Sequence, residues 1–154
     1  EAFRRSDALD QNASLFDQNS PDTVRPLAAQ LSDILVFDFL TNNWGRFADD
    51  RQDYGRSNHY RDGRFLTWRT DTVFQVRHSR RVKGRFRWVT RFDPDTVRAL
   101  RMLDRETFAD ILYPEASAIE QRKLDLFWEQ RNHLLERVER LVSRHGATAV
   151  FAFE

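Results

Sequence analysis

Positively charged side chains dominate the segment between Asp71 and Asp93, which contains no acidic residue. Phe86, Trp88 and Phe92 are interleaved with these cations. Guanidinium and ammonium groups bind phosphate oxygens, and aromatic rings stack on nucleic-acid bases. The pattern therefore predicts a segment that binds nucleic acid or another anionic surface. The side chains predicted to bind anions are Arg77, Arg80, Arg81, Lys83, Arg85 and Arg87.

The overall charge of the chain supports a second interpretation of this segment. Lys and Arg total 25, Asp and Glu total 24, and the formal net charge is +1. A charge near zero argues against a protein whose whole surface is basic. In this interpretation the arginines pair with acidic residues elsewhere and the aromatic rings belong to the core. The balanced charge slightly favours it, and the sequence alone leaves both interpretations open.

A second group of polar residues lies within and just after an apolar stretch, SDILVFDFLTNNWGRF at residues 32–47. It resembles the catalytic loop of the Four-jointed and Golgi secretory-pathway kinases, roughly D-x-x-V-F-D-F-L-x-x-N-x-D-R. HipA-type bacterial kinases and lipid kinases have related loops. Downstream, DGRFL at 62–66 and RTDTVF at 69–74 resemble the hairpin and metal-binding segment of the same family. The resemblance spans roughly residues 30–145.

This resemblance implies a fold and a set of site residues. The expected fold class is α+β, mainly α: a protein-kinase-like C-terminal lobe with a small β-hairpin and a helical tail. Asn43, Arg46 and Asp71 are the candidate catalytic residues. Asn43, Asn58 and Asp71 are the candidate cofactor-binding residues. If the enzyme is active, ATP and Mg²⁺ are the expected cofactors, with Asp71 and Asn58 as the metal ligands.

Two departures from the family pattern argue against activity. Gly45 stands where the family has its catalytic Asp, and Arg69 stands where it has a metal-binding Asp. Glycine cannot orient a substrate hydroxyl, and a guanidinium cannot bind Mg²⁺. No Gly-rich loop is recognised before the match, and the 29 residues that precede it are not expected to form an N-terminal lobe. The prediction is therefore a degenerate, pseudokinase-like binding or scaffolding module. The alternative is an active ATP-dependent phosphotransferase with shifted catalytic residues or a missing N-lobe.

Asp38 has a predicted structural role. It lies among Phe37, Phe39 and Leu40, so it is expected to be at least partly buried. A buried carboxylate needs partners. The expected partners are Arg46 or backbone N–H groups of the following loop.

Sequence patterns also predict the elements that position these residues. Ser20-Pro21-Asp22 starts a helix that ends near Asn42, and a hairpin turns at residues 61–63. Residues 85–89, RFRWV, alternate as in a strand with a basic face. Three further helices are expected at about 93–103, 104–112 and 117–146, the last with a capping box at its start. The tail at 147–153 is expected to be a strand or an extended arm.

The domain interpretation has three parts: an N-terminal arm at 1–19, a kinase-like lobe at 20–146 and a tail at 147–154. The absence of cysteine excludes disulfides and cysteine-based zinc sites. No transmembrane segment or signal peptide is recognised, so a soluble chain of undetermined compartment is expected. The predicted partner is another protein chain or the missing N-terminal lobe, with nucleic acid or an anionic surface as the alternative.

Overall fold

The computed structural model describes residues 21–45, 58–61, 64–67, 73–77 and 79–151 of the chain. The predicted N-terminal arm lies outside these residues. The helices are α1 (Pro21–Leu40), α2 (Arg80–Phe86), α3 (Pro94–Met102), α4 (Arg105–Leu112), α5 (Ala118–His145) and α6 (Ala147–Val150). Strands β1 (Asn58–Arg61) and β2 (Arg64–Thr67) pair in antiparallel register, with Asn58 opposite Thr67.

The predicted fold class, an α+β kinase-like C-terminal lobe with a hairpin and helical tail, is wrong. Most of the described residues lie in helices, and the described strands form a single two-stranded ribbon, which is not the sheet that a kinase-like lobe needs. The ribbon of β1 and β2 has only two strands of four residues each. A two-stranded ribbon is marginal by itself in water, so the stability of this protein must come from helix packing.

The starts of the later helices follow the predicted capping signals. The Asp93 carboxylate accepts hydrogen bonds from two backbone N–H groups at the start of α3, and Asp104 accepts one from Thr107 at the start of α4. Ser117 and Glu120 form the predicted capping box at the start of α5. These side chains satisfy N–H groups that have no partner within the helix, so each helix begins where the sequence predicts.

Helix α5 supports the rest of the described fold. Its 28 residues make it about 42 Å long at 1.5 Å per residue. Leu134 and Val138 on this helix are completely buried. The core also contains Phe39 of α1 and Val97 of α3. One apolar stripe of α5 thus packs against several shorter helices.

Two local predictions are also wrong. The tail predicted as a strand or extended arm forms the short helix α6, and Val150 at its end is buried in the core. Its carbonyl accepts a hydrogen bond from the Phe92 N–H at 2.8 Å. The segment predicted as a basic strand lies mostly in α2 and the turn after it. A strand would place Phe86 and Trp88 on the same face, whereas Phe86 is 3% exposed and Trp88 is 71% exposed.

Candidate functional site

Four buried polar residues lie in the last turn of α1 and just after it. They form the polar cluster: Asp38, Thr41, Asn42 and Asn43. The side-chain amide of Asn43 donates to the Asp38 carboxylate, with 3.0 Å between Nδ2 and Oδ1. The Asn43 backbone N–H donates to the Asp38 carbonyl at 2.8 Å. These two contacts close the turn after α1. Burying a carboxylate is costly without such partners, so the pair stabilises the helix end.

Asn42 connects the polar cluster to the chain that precedes α2. Its φ of 54° lies in the left-handed region, which asparagine adopts more easily than most residues. Its side-chain amide donates to the carbonyls of Gln75, at 3.1 Å, and of Arg77. Its Oδ1 accepts from the Ser79 backbone N–H at 3.0 Å. A single buried side chain therefore fixes three backbone groups across residues 75–79.

Ser79 passes this constraint on to α2. Its hydroxyl accepts from the Val82 backbone N–H, which caps the start of the helix. Val82 and Phe86 are four residues apart, so they lie on one face of α2, and both are buried. The Phe86 ring stacks on Phe39 of α1 with 3.9 Å between centroids and an interplanar angle of 10°. One face of α2 is thus fixed in the core, whereas Arg80, Arg81 and Lys83 are exposed.

Arg137 of α5 holds the other end of α2. Its Nη2 donates to the carbonyls of Arg87 and Val89, at 2.9 and 3.1 Å. Its guanidinium lies 5.6 Å from the centroid of the Phe86 ring. Burial, and secondarily the nearby charge of Arg140, lowers the pKa of Arg137. Sequence reasoning missed Arg137, because it lies about fifty positions from the turn that it contacts and no distinctive motif surrounds it.

The outward side of α2 and its flanks form a cationic surface made of six exposed residues. Within the described part of the chain, none of the six takes part in a salt bridge. Described salt bridges lie on other helices, for example Arg98–Asp95 and Arg105–Asp125. The six residues of the cationic surface are Arg77, Arg80, Arg81, Lys83, Arg87 and Arg91.

The predicted anion-binding residues differ in their exposure to solvent. Arg77, Arg80, Arg81, Lys83 and Arg87 are all exposed on the cationic surface, whereas Arg85 is half-buried. Arg91 belongs to the same surface. The indole of Trp88, in the turn directly after α2, is the most exposed of the described tryptophans.

The candidate catalytic residues are placed only in part. Asn43 is fully buried in the polar cluster, and Gly45 is buried just after it. Asn58 begins β1. Arg46, Arg69 and Asp71 lie outside the described residues. Within the described segments, no group of three or more His, Asp or Glu side chains is arranged to hold a metal ion.

Comparisons with known proteins add no relative. No protein family, curated protein or solved structure shows significant similarity to the chain. Among the described helices, none is long and apolar enough to cross a membrane.

Proposed function

We propose that this protein binds nucleic acid, and that the cationic surface contacts the phosphate backbone. The observation that carries this proposal is the concentration of six exposed cations on and beside α2 without a salt bridge to any described acidic residue. Phosphate oxygens provide the missing negative charge. Cations gathered on one helix and its flanks act together on a polyanion, although the net charge of the whole chain is only +1.

Salt bridges on other helices show that exposed arginines of this chain can pair with carboxylates. On α3 and α5, exposed arginines lie beside carboxylates, as in Arg98–Asp95 and Arg140–Glu136. If charge balance governed the whole surface, the cationic surface would have similar partners. The interpretation in which these arginines pair with acidic residues elsewhere therefore has no support within the described residues.

The orientation of α2 favours nucleic acid over a lipid surface. An amphipathic helix that binds a membrane inserts its apolar face among the lipids. The apolar residues of α2, Val82 and Phe86, are instead buried in the core. The apolar side chains within α2 are thus not available to insert into a membrane, and its exposed side chains carry charge. This arrangement suits phosphates that remain in water.

Fluorescence anisotropy with labelled oligonucleotides tests the proposal. The test variant is Arg80→Glu/Lys83→Glu, which reverses two exposed charges on α2. The matched control is Arg98→Glu/Arg122→Glu, which changes the net charge equally but at exposed positions on α3 and α5. We expect the test variant to lose at least about tenfold in affinity and the control to lose less than about threefold. Each lost phosphate contact should reduce the slope of log K against log salt by about 0.7–0.9.

Three results would contradict the proposal. The wild-type protein would bind neither single-stranded nor duplex oligonucleotides, or the two double variants would lose affinity equally. Alternatively, vesicles that contain phosphatidylserine would bind the protein while oligonucleotides would not. Circular dichroism of both variants confirms that they keep their helices.

The kinase-related interpretations stay predictions. Gly45 stands at the position of a catalytic Asp, and Arg46, Arg69 and Asp71 lie outside the described residues. A thermal shift with ATP and Mg²⁺ tests them directly. A rise in melting temperature that disappears in Asp71→Asn supports a nucleotide site. No change with either ligand argues against one.

A further inference from the structure

Gly84 leaves the middle of the exposed side of α2 without a side chain. A Cβ atom added at this position would meet no atom within 4 Å, so the space above the backbone is open. The buried residues Val82 and Phe86 lie on the opposite side of the helix. Glycine in the middle of a helix costs roughly 0.5–1 kcal/mol relative to alanine. Because no neighbouring atom requires the glycine, packing does not explain it.

Trp88 is an exposed aromatic side chain close in sequence to this open position. It follows Gly84 by four residues, in the turn that continues α2, where its N–H donates to the Arg85 carbonyl at 3.0 Å. Arg87 keeps helical dihedral angles (φ −59°, ψ −24°), so the backbone course of α2 continues to Trp88. Residues four apart share one side of a helix, and long side chains lean over the preceding turn. The indole, 71% exposed, therefore belongs on the same side as the open backbone at Gly84.

Three cations surround the same position at helical spacing. Arg80 and Arg81 precede Gly84 by four and three residues, and Arg87 follows it by three. Positions three or four apart are neighbours on a helix surface. All three side chains are exposed. A flat ring placed on the indole would thus have guanidinium groups on more than one side.

We infer that Trp88 and the open backbone at Gly84 form a base-stacking site for single-stranded nucleic acid, with the phosphates on either side bound by Arg80, Arg81 and Arg87. This inference rests on the proposed nucleic-acid binding and specifies its ligand. In a duplex both faces of each base are already stacked, so an indole has no base to contact. A single strand leaves bases free to stack on aromatic side chains.

Binding of two probes by three variants tests the inference. The probes are a labelled oligothymidine about 20 nucleotides long, enough for at least one site of this type, and a duplex of the same length. Trp88→Ala should lose about tenfold in affinity for the single strand, and Trp88→Phe should recover most of it. Gly84→Gln keeps every charge but fills the open position, and it should also lose about tenfold. Affinity for the duplex should change less than about twofold in all three variants.

Met102→Ala is the control, because it shortens an exposed apolar side chain on α3, outside the proposed site. It should bind oligothymidine as the wild type does, and circular dichroism should show that Trp88→Ala and Gly84→Gln keep their helices. The inference is overturned if Trp88→Ala and Gly84→Gln both bind oligothymidine with wild-type affinity while Arg80→Glu/Lys83→Glu does not. The proposed function survives that result. If the wild-type protein binds neither probe, the proposed function fails and the inference fails with it.

Discussion

The polar cluster and the cationic surface both consist of polar side chains, but they differ in what those side chains contact. In the polar cluster, Asp38 and Asn43 are buried and bonded to each other, and Asn42 is bonded to three backbone groups. On the cationic surface, residues such as Arg80 and Lys83 are exposed and have no described salt bridge. The first region uses its polar groups inside the fold, and the second presents them to solvent.

This difference separates structural chemistry from binding chemistry. A buried polar group without a hydrogen bond is costly, so a cluster whose contacts lie inside the protein is explained by stability. Exposed charges gathered without counter-charges are not explained in that way. The two regions are nevertheless linked, because Asn42 holds Ser79, which caps α2. The polar cluster therefore positions the helix that carries the cations.

The largest effect on stability is expected from Asn42→Ala. The change removes three hydrogen bonds and places alanine at a φ of 54°. With about 1 kcal/mol for each of the three bonds and 1–2 kcal/mol for the left-handed backbone, the free energy of unfolding should fall by about 4–5 kcal/mol. Urea denaturation followed by circular dichroism measures this. Affinity for oligonucleotides should also fall, because α2 loses its anchor.

Asn42→Gly separates the two contributions. Glycine adopts a positive φ readily, so this variant should lose only the side-chain bonds and be about 1–2 kcal/mol more stable than Asn42→Ala. Wild-type stability of Asn42→Ala would show that the polar cluster does not hold α2. The proposed structural link between the polar cluster and the cationic surface would then be wrong.

The limits of sequence reasoning follow from the same residues. Asp93, Asp104 and Ser117 act on N–H groups two or three residues away, so their helices are predictable from local sequence. Helix α2 is less predictable, because RFRWV also fits a strand and Phe39, which packs on Phe86, lies far along the chain.

The candidate site is also only partly predictable from the sequence. The excess of cations at 77–91 is visible in the sequence, and so is the apolar surrounding that predicts burial of Asp38. Neither pattern reveals that Arg137 holds the turn at residues 87–89, or that Trp88 is exposed while Phe86 is buried. Those facts depend on which side of α2 packs against α1 and α5.

Gln130 sharpens the comparison with an exception. This residue of α5 is 2% exposed, and both polar atoms of its amide lack a hydrogen-bond partner in the described part of the chain. Unlike Asn42, it loses contact with water without replacement. Gln130→Met keeps the length of the side chain and removes both polar atoms. We expect unfolding to become harder by about 1–2 kcal/mol, measured by urea denaturation.

Gln130→Ala provides the contrast for this prediction. It also removes the amide, but it leaves a cavity, so it should destabilise the protein. If Gln130→Met is less stable than the wild type, the buried amide stabilises the fold. Gln130 would then not differ from the buried polar residues that have hydrogen-bond partners. Binding of oligonucleotides should be unaffected by Gln130→Met, because the residue lies inside the core.

The smallest effect concerns Asp33, a half-buried carboxylate on α1. Burial and then the nearby charge of Asp93 raise its pKa, and a 3.3 Å hydrogen bond from the Thr96 hydroxyl opposes this only in part. A raised pKa means that the folded state binds the proton more tightly than the unfolded state. The Asp33 contribution to stability is therefore lost as pH rises from the unfolded pKa, near 4, through the folded one. Asp33→Asn should thus gain stability relative to the wild type as pH rises from about 4 to 7, by less than about 1 kcal/mol because solvent screens a half-exposed group.

Urea denaturation at both pH values measures the gain, with Asp110→Asn at an exposed position of α4 as the reference. A gain that is equal at both pH values would mean that burial of Asp33 does not oppose its charge, and that half-buried carboxylates here behave like those on the surface.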